Sequence, residues 1–189
     1  MSVRVTLVSP AMNQAVRQAR FDDDLPLDQA GLASLEQAAG MSGRGYVSTS
    51  ARCRATAQGL GLEAEPLAEL AGCDMGRWRG LRLDEVAAAE EAAVAAWLTD
   101  PSAAPHGGES VRGLRIRIGD WLDSLADGDG RVVCVVEPDV VRAAVVHALS
   151  APDQAFWRLD VRPLTATELS GRAGRWNVAA GRPLVTPGG

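Results

Sequence analysis

Apolar residues fall along this chain in two patterns: short unbroken runs, and residues that recur every three or four positions. Val3 to Val8 and Arg131 to Val136 are runs of the first kind, rich in valine, and they predict buried strands. Tyr46 to Ser48 predicts a shorter strand, and Trp157 to Val161 and Ala166 to Ser170 predict late ones. The second pattern predicts helices over Asp28–Ala39, Arg52–Leu60, Leu83–Leu98, Ser110–Leu125 and Pro138–Leu149. Their inward faces are expected to carry Leu32 and Leu35; Ile116, Ile118, Trp121 and Leu125; and Val140, Val141, Ala144, Val145 and Leu149. Asp84 is placed to cap the third helix. Leu67 to Met75 reads as irregular, Gly76 to Gly80 and Asp100 to Gly108 as loops, and Asp127-Gly128-Asp129-Gly130 as a turn. Val178 to Gly189, with its prolines and glycines, reads as a loose tail after a single domain over residues 1–177.

Strands alternating with helices predict an α/β protein, a three-layer α/β/α sandwich on a mostly parallel central sheet. Sites in such folds lie beyond the carboxyl ends of the strands. Ser9-Pro10-Ala11 and Glu137-Pro138-Asp139 each follow a strand, so both are expected at one crevice.

Composition narrows the function classes. The 189 residues suffice for one core, and a net charge of −5 gives no electrostatic footprint for nucleic acid. All 19 basic residues are arginine, as GC-rich bacterial codon usage produces; arginine is also the better residue for bidentate anion binding. Three cysteines without a CxxC spacing fit a reduced, cytoplasmic chain without a zinc site. The N-terminal apolar run is too short for a secretory leader, and no stretch reaches membrane-spanning length. Asp22-Asp23-Asp24 are consecutive on a loop and point apart, so no metal is expected there; no cofactor is expected either.

Several short motifs follow one another in order. Ser48-Thr49-Ser50-Ala51-Arg52-Cys53-Arg54-Ala55-Thr56-Ala57, Gly76-Arg77-Trp78-Arg79-Gly80, Gly108-Glu109-Ser110 and the strand ending Val135-Val136-Glu137 lie between about Val3 and Asn177. Together they resemble the histidine phosphatase (phosphoglycerate mutase-like) superfamily. The resemblance implies its fold, leaves room for a homodimer, and places Arg52 as a phosphate-binding arginine, with Glu109 peripheral to it. It also implies that the catalytic residues are gone. Pro10 stands where the nucleophilic histidine belongs, Ser9 where an arginine precedes it, Glu137 where the second histidine belongs, and Gly72 at the acidic proton donor.

Phosphoryl transfer by that route needs an imidazole to accept the phosphoryl group and fixed cations around it. Proline offers neither a nucleophile nor an N–H. A carboxylate ~4 Å from a phosphate would add repulsion of order 4 kcal/mol at an effective dielectric of about 20. The two histidines, His106 in a loop and His147 deep in a helix, are not placed to substitute.

Glu137 is the leading chemical candidate, since a carboxylate at a buried strand end must be paired or do acid–base work. A salt bridge to Arg52 or a helix cap explains it equally. Ser9 is a weaker nucleophile candidate, and Pro10 is expected to border the ligand. Trp78 either lines the crevice or anchors the packing, and Asp139 reads as a first-turn residue favoured by the helix dipole. Two functions stay open. One is a repurposed enzyme using acid–base chemistry on a small anionic or carbonyl-bearing metabolite, in a bacterial biosynthetic pathway. The other is a non-catalytic pseudoenzyme binding a ligand or partner protein.

Overall fold

The computed structural model describes residues 2–21, 23–125, 130–172 and 174–185. The strands are β1 (Val3–Val8), β2 (Arg44–Val47), β3 (Ala64–Pro66), β4 (Arg131–Val135), β5 (Thr165–Arg172) and β6 (Arg175–Pro183). They form one mixed six-stranded sheet in the order β3-β2-β4-β1-β5-β6. The first four in that order are parallel, and β5 runs against both β1 and β6. The helices are α1 (Gln14–Arg17), α2 (Gln29–Glu36), α3 (Ala51–Gly59), α4 (Leu83–Ala89), α5 (Glu91–Thr99), α6 (Val111–Ser124) and α7 (Pro138–Ala148).

Alternate strand residues divide the core in two. Val3, Val5, Leu7, Val132, Cys134 and Val136 pack with α6 and α7. Val8, Val133, Val135 and Ala166 pack on the opposite side with α2 and α3. This is the expected α/β layering, with β-branched runs buried on both faces. Full burial of each valine or leucine stabilises by about 1.5–3 kcal/mol. Ser50 and Ser110 cap α3 and α6, their Oγ atoms accepting from Cys53 N (3.3 Å) and Gly113 N (3.0 Å).

Several expectations change. Val178 to Pro183 are not a loose tail but belong to β6, and Leu184 beyond them is buried and bonded to Leu164 and Ala39 (2.9 Å each). Gly181, at φ +79°, and a register shift between Ala166 and Glu168 let the glycine- and proline-rich segment pair. Trp157 to Val161 form no strand. Asp153–Arg158 is a 3-10 turn tied to α6, with Arg112 and Arg115 each donating to Asp153 at 2.8 Å. The alanine-rich helix over Leu83–Leu98 breaks at Glu90, whose carboxylate is drawn to Arg77 and to the Trp78 Nε1 (3.3 Å). Asp84 does not cap α4; Arg82 holds the cap position, and its N–H donates to Glu85 (2.9 Å). Leu32, Ile116 and Leu149 face solvent. Residues 127–129 of the expected turn, and Asp22, lie outside the described residues.

Candidate active site

Parallel pairing sets the site. Val8 lies opposite Val135, and Val136 N donates to Val8 O (2.9 Å), so β1 and β4 end side by side at one edge of the sheet. Glu137 leaves β4 there, at the N-cap of α7, with Pro138 in the first helical position. Arg52, from the first turn of α3, reaches its carboxylate. Its Nε donates to both Oε1 and Oε2 at 3.0 Å, and its Nη2 donates to Oε2. Ser50 Oγ donates to Oε1 at 2.7 Å. Arg52 is 12% exposed and Glu137 8%, so this is a buried, bidentate pair. Burial disfavours the charged guanidinium, but the bonds and charge of Glu137 outweigh it and raise the Arg52 pKa. Burial, then the charge of Glu137, pushes the Cys53 thiol far above its ordinary range, which keeps it protonated and inert.

Asp139 sits two residues further on, half-buried in the first turn of α7. Its Oδ2 accepts from Cys73 N and its Oδ1 from Val140 N, both at 2.7 Å. Burial and the neighbouring Glu137 carboxylate raise its pKa to about 6, against the lowering pull of the two N–H donors and of Arg52. Gly72 packs directly over the pair. A Cβ at position 72 would lie 3.2 Å from Glu137 Cγ and 3.5 Å from Asp139 Oδ2. The Gly-Arg-Trp-Arg-Gly and Gly-Glu-Ser loops hold this roof: Arg77 N donates to His106 O (3.0 Å) and Glu109 N to Asp74 O (2.8 Å). Gly76, at φ +50°, permits the crossing, since a Cβ there would meet His106 O at 2.2 Å.

A cavity of about 230 Å³ opens beside Asp139. Its lining combines the charged Glu137, Asp139, Arg52 and Arg142 with the aromatic Phe21, Trp97, Phe156 and Trp157. The rings form a chain, with centroids 4.4 Å apart for Trp97–Trp157, 5.0 Å for Phe156–Trp157 and 5.7 Å for Phe21–Trp97. A polar hollow of about 240 Å³ shares Gly72, Cys73 and Met75 with it.

The structure brings Glu137 and Arg52 together at this cavity and leaves the other expected residues outside its lining. Ser9 is fully buried; its Oγ donates to Arg162 O and accepts from Thr165 N (3.2 Å). Pro10 is buried, and the next residue is tied to α3, Ala11 N donating to Thr56 Oγ1 (3.1 Å). Glu109 is paired with Arg117 (2.7 Å). Trp78 is fully buried, 5.4 Å from Phe21 and 5.2 Å from His106, and so is a packing anchor. His106 is not loop-exposed: it is 1% exposed, accepts from Gly108 N at 3.0 Å, and burial holds its pKa below the usual value. His147 meets Asp123 at 3.0 Å. Among the described residues, no group of three or more His, Cys, Asp or Glu side chains is placed to hold a metal. Asp139 and Arg142, which line the cavity, were not among the expected site residues. The helix dipole accounted for the first, and neither the Gly72 roof nor the aromatic wall shows in local pattern.

The family comparison covers most of the chain. The profile of the histidine phosphatase superfamily (branch 1) matches residues 10–181. No curated protein is similar enough in sequence to match. Among solved structures, a mycobacterial glucosyl-3-phosphoglycerate phosphatase is similar at 22% identity, with a TM-score of 0.76 over 95% of this chain and 98% of that one. A putative alpha-ribazole-5′-P phosphatase from Escherichia coli has 18% identity and a TM-score of 0.82, over 99% of each chain. Phosphoserine phosphatase from Entamoeba histolytica has 16% identity and a TM-score of 0.84, over 95% of this chain and 96% of that one. At these identities the structural likeness concerns the fold. With its mixed six-stranded sheet and a profile match running from the end of β1 into β6, this chain belongs to the histidine phosphatase superfamily, branch 1.

Proposed function

We propose that this protein does not transfer phosphate but carries out acid–base chemistry on a small anionic or carbonyl-bearing metabolite, with Asp139 as the proton carrier. The observation that carries the reading is a half-buried carboxyl on the wall of a cavity at the carboxyl edge of the sheet, where burial and the Glu137 charge raise its pKa to about 6. Glu137 and Asp139 are two carboxyls in different environments. The first is held by Arg52 and Ser50, while the second, among the described residues, is bonded only to backbone N–H groups and lies at the cavity. Environments that separate two neighbouring carboxyls are how such sites divide acid–base roles. Glu137 then acts as a positioning residue, its fixed charge holding the proton on Asp139. Gly72, which by resemblance takes the place of the family's acidic donor, abuts both carboxyl side chains, so Glu137 and Asp139 together border the space that a side chain from position 72 would enter. Pro10 and Glu137 at the two histidine positions support the loss of phosphotransfer.

The alternative, ligand binding without turnover, draws support from how completely Arg52 and Ser50 occupy the Glu137 carboxylate. One experiment separates the two. A panel of small carbonyl acids, phenylpyruvate and pyruvate included, is incubated with the protein in deuterated buffer and followed by NMR for exchange at carbon next to the carbonyl. Exchange above the buffer rate, with a limb near pH 6 and loss in Asp139→Asn, is the expected result. Exchange that survives in Asp139→Asn removes the proton carrier. A phosphorylated protein detected by mass spectrometry after exposure to a phosphomonoester overturns the whole reading.

A further inference from the structure

We infer that the cavity beside Asp139 binds a small aromatic carboxylate, its ring against Trp157, Trp97 and Phe156 and its carboxylate on the Arg142 guanidinium. The inference deepens the function proposed above and shares its cavity.

Charge balance is the first argument. Of the cations at the cavity, Arg52 is neutralised by Glu137. Arg20 is turned to Gln18 (2.7 Å) and to the Gly80 carbonyl (2.9 Å). Arg142 has no hydrogen-bonding or ionic partner among the described residues, although its Nε is shielded from water. A buried donor without an acceptor costs about 1–3 kcal/mol, and an anion seated on the same guanidinium would offset part of that. Arg142 lies three residues after Asp139 on α7, so both project from one face of the helix into the cavity. One free guanidinium matches a monoanionic carboxylate, which it can grip in bidentate fashion. A dianionic phosphoryl group would need further cations, and here it would meet Asp139 and Glu137 instead.

Shape is the second argument. Arg142 sits over the Phe156 ring, 5.7 Å from its centroid, so the guanidinium is steadied at the margin of the aromatic wall. Trp157 stands edge-on to Phe156 and to Trp97. A flat ring placed there gains aromatic contact at fixed geometry, whereas a saturated ligand of equal size gains burial alone. The volume, about 230 Å³, accommodates a small ligand.

The test is isothermal titration of the whole protein at pH 7 with benzoate, indole-3-carboxylate, benzamide, cyclohexanecarboxylate and inorganic phosphate. Both aromatic carboxylates are expected to bind at least tenfold more tightly than benzamide and more tightly than cyclohexanecarboxylate, with no displacement by millimolar phosphate. Arg142→Gln should weaken benzoate tenfold or more while leaving benzamide within twofold. Equal affinity for benzoate and benzamide, displacement by phosphate, or an unchanged Arg142→Gln variant would overturn the inference. The comparison of ligands on the native protein stands even if the variant does not fold. Carboxylate-selective binding without any proton exchange removes the acid–base reading and keeps this one; exchange on aliphatic acids without aromatic carboxylate binding does the reverse.

Discussion

The ends of β1 and β4 lie next to each other on one edge of the sheet, yet they have opposite character. After β1, the polar groups of Ser9 all turn inward. Ser9 N bonds Thr165 O (3.0 Å), Ser9 O accepts from Leu164 N (3.2 Å), the hydroxyl is held between Arg162 and Thr165, and Pro10 has no N–H to offer. After β4, the chain carries two carboxyls, a buried arginine contact and a cavity. The first end is knitted into the sheet as structure, and the second keeps titratable groups at a solvent-reachable wall. The difference teaches that two adjacent strand ends of one sheet can differ this far, one tied up in backbone bonds and the other left with titratable side chains at a cavity.

The largest effect expected from that contrast is on proton exchange. Asp139→Asn should lower the exchange rate a hundredfold or more, within the range general acid–base groups supply. A fully active variant would erase the distinction between the two ends. Next in size is the ion pair. Arg52→Met strands a buried carboxylate and should cost about 3–5 kcal/mol in a denaturant melt. The double variant Arg52→Met with Glu137→Met should recover much of that loss. If the two losses simply add, the pair does not act as a unit.

A smaller effect concerns pH. The unfolded Asp139 carboxyl ionises near pH 4, while the folded one keeps its proton to about pH 6. Between these values the unfolded chain binds fewer protons, so this group lowers stability as pH rises, by at most about 3 kcal/mol, and the deficit persists above pH 6. Glu137, Arg52 and the Cys73 and Val140 N–H groups face it and set the window. Asp28, Asp123 and Asp153, whose pKa values are lowered, push stability the other way in acid. The effect is therefore read as the difference between the native protein and Asp139→Asn, which should favour the variant at pH 7.5 and vanish by pH 3. A constant difference across that range would contradict the raised pKa. The smallest effect belongs to the β1 end: Ser9→Ala should cost about 1–2 kcal/mol of stability, for the unpaired Arg162 and Thr165 groups, and leave exchange within twofold.

Much of the fold was legible in local pattern. β1 and β4 announced themselves as valine-rich runs that can be buried on both faces, and α6 and α7 through their periodicity. The Arg52–Glu137 pairing was legible too, as one of two readings of a carboxylate at a strand end. Legibility failed where long-range contact overrode local preference. Glu90 breaks an alanine-rich helix because Arg77 and Trp78 draw its side chain away, and the segment around Gly181 pairs as β6 because β5 offers an open edge. His106 reads as a surface loop residue until the loop is folded over Trp78.

Periodicity and motif order were enough to determine the family's layered sheet and to bring Glu137 to its carboxyl edge, because side-chain repeat and strand direction are local properties. The surroundings of Asp139 and Arg142 were decided only in three dimensions. A carboxyl's proton affinity and a guanidinium's lack of a partner depend on what is packed around them. Besides the nearby charge of Glu137, those surroundings come from Gly72, Cys73, Phe156 and Trp157, far away along the chain or carrying no charge that pattern could register.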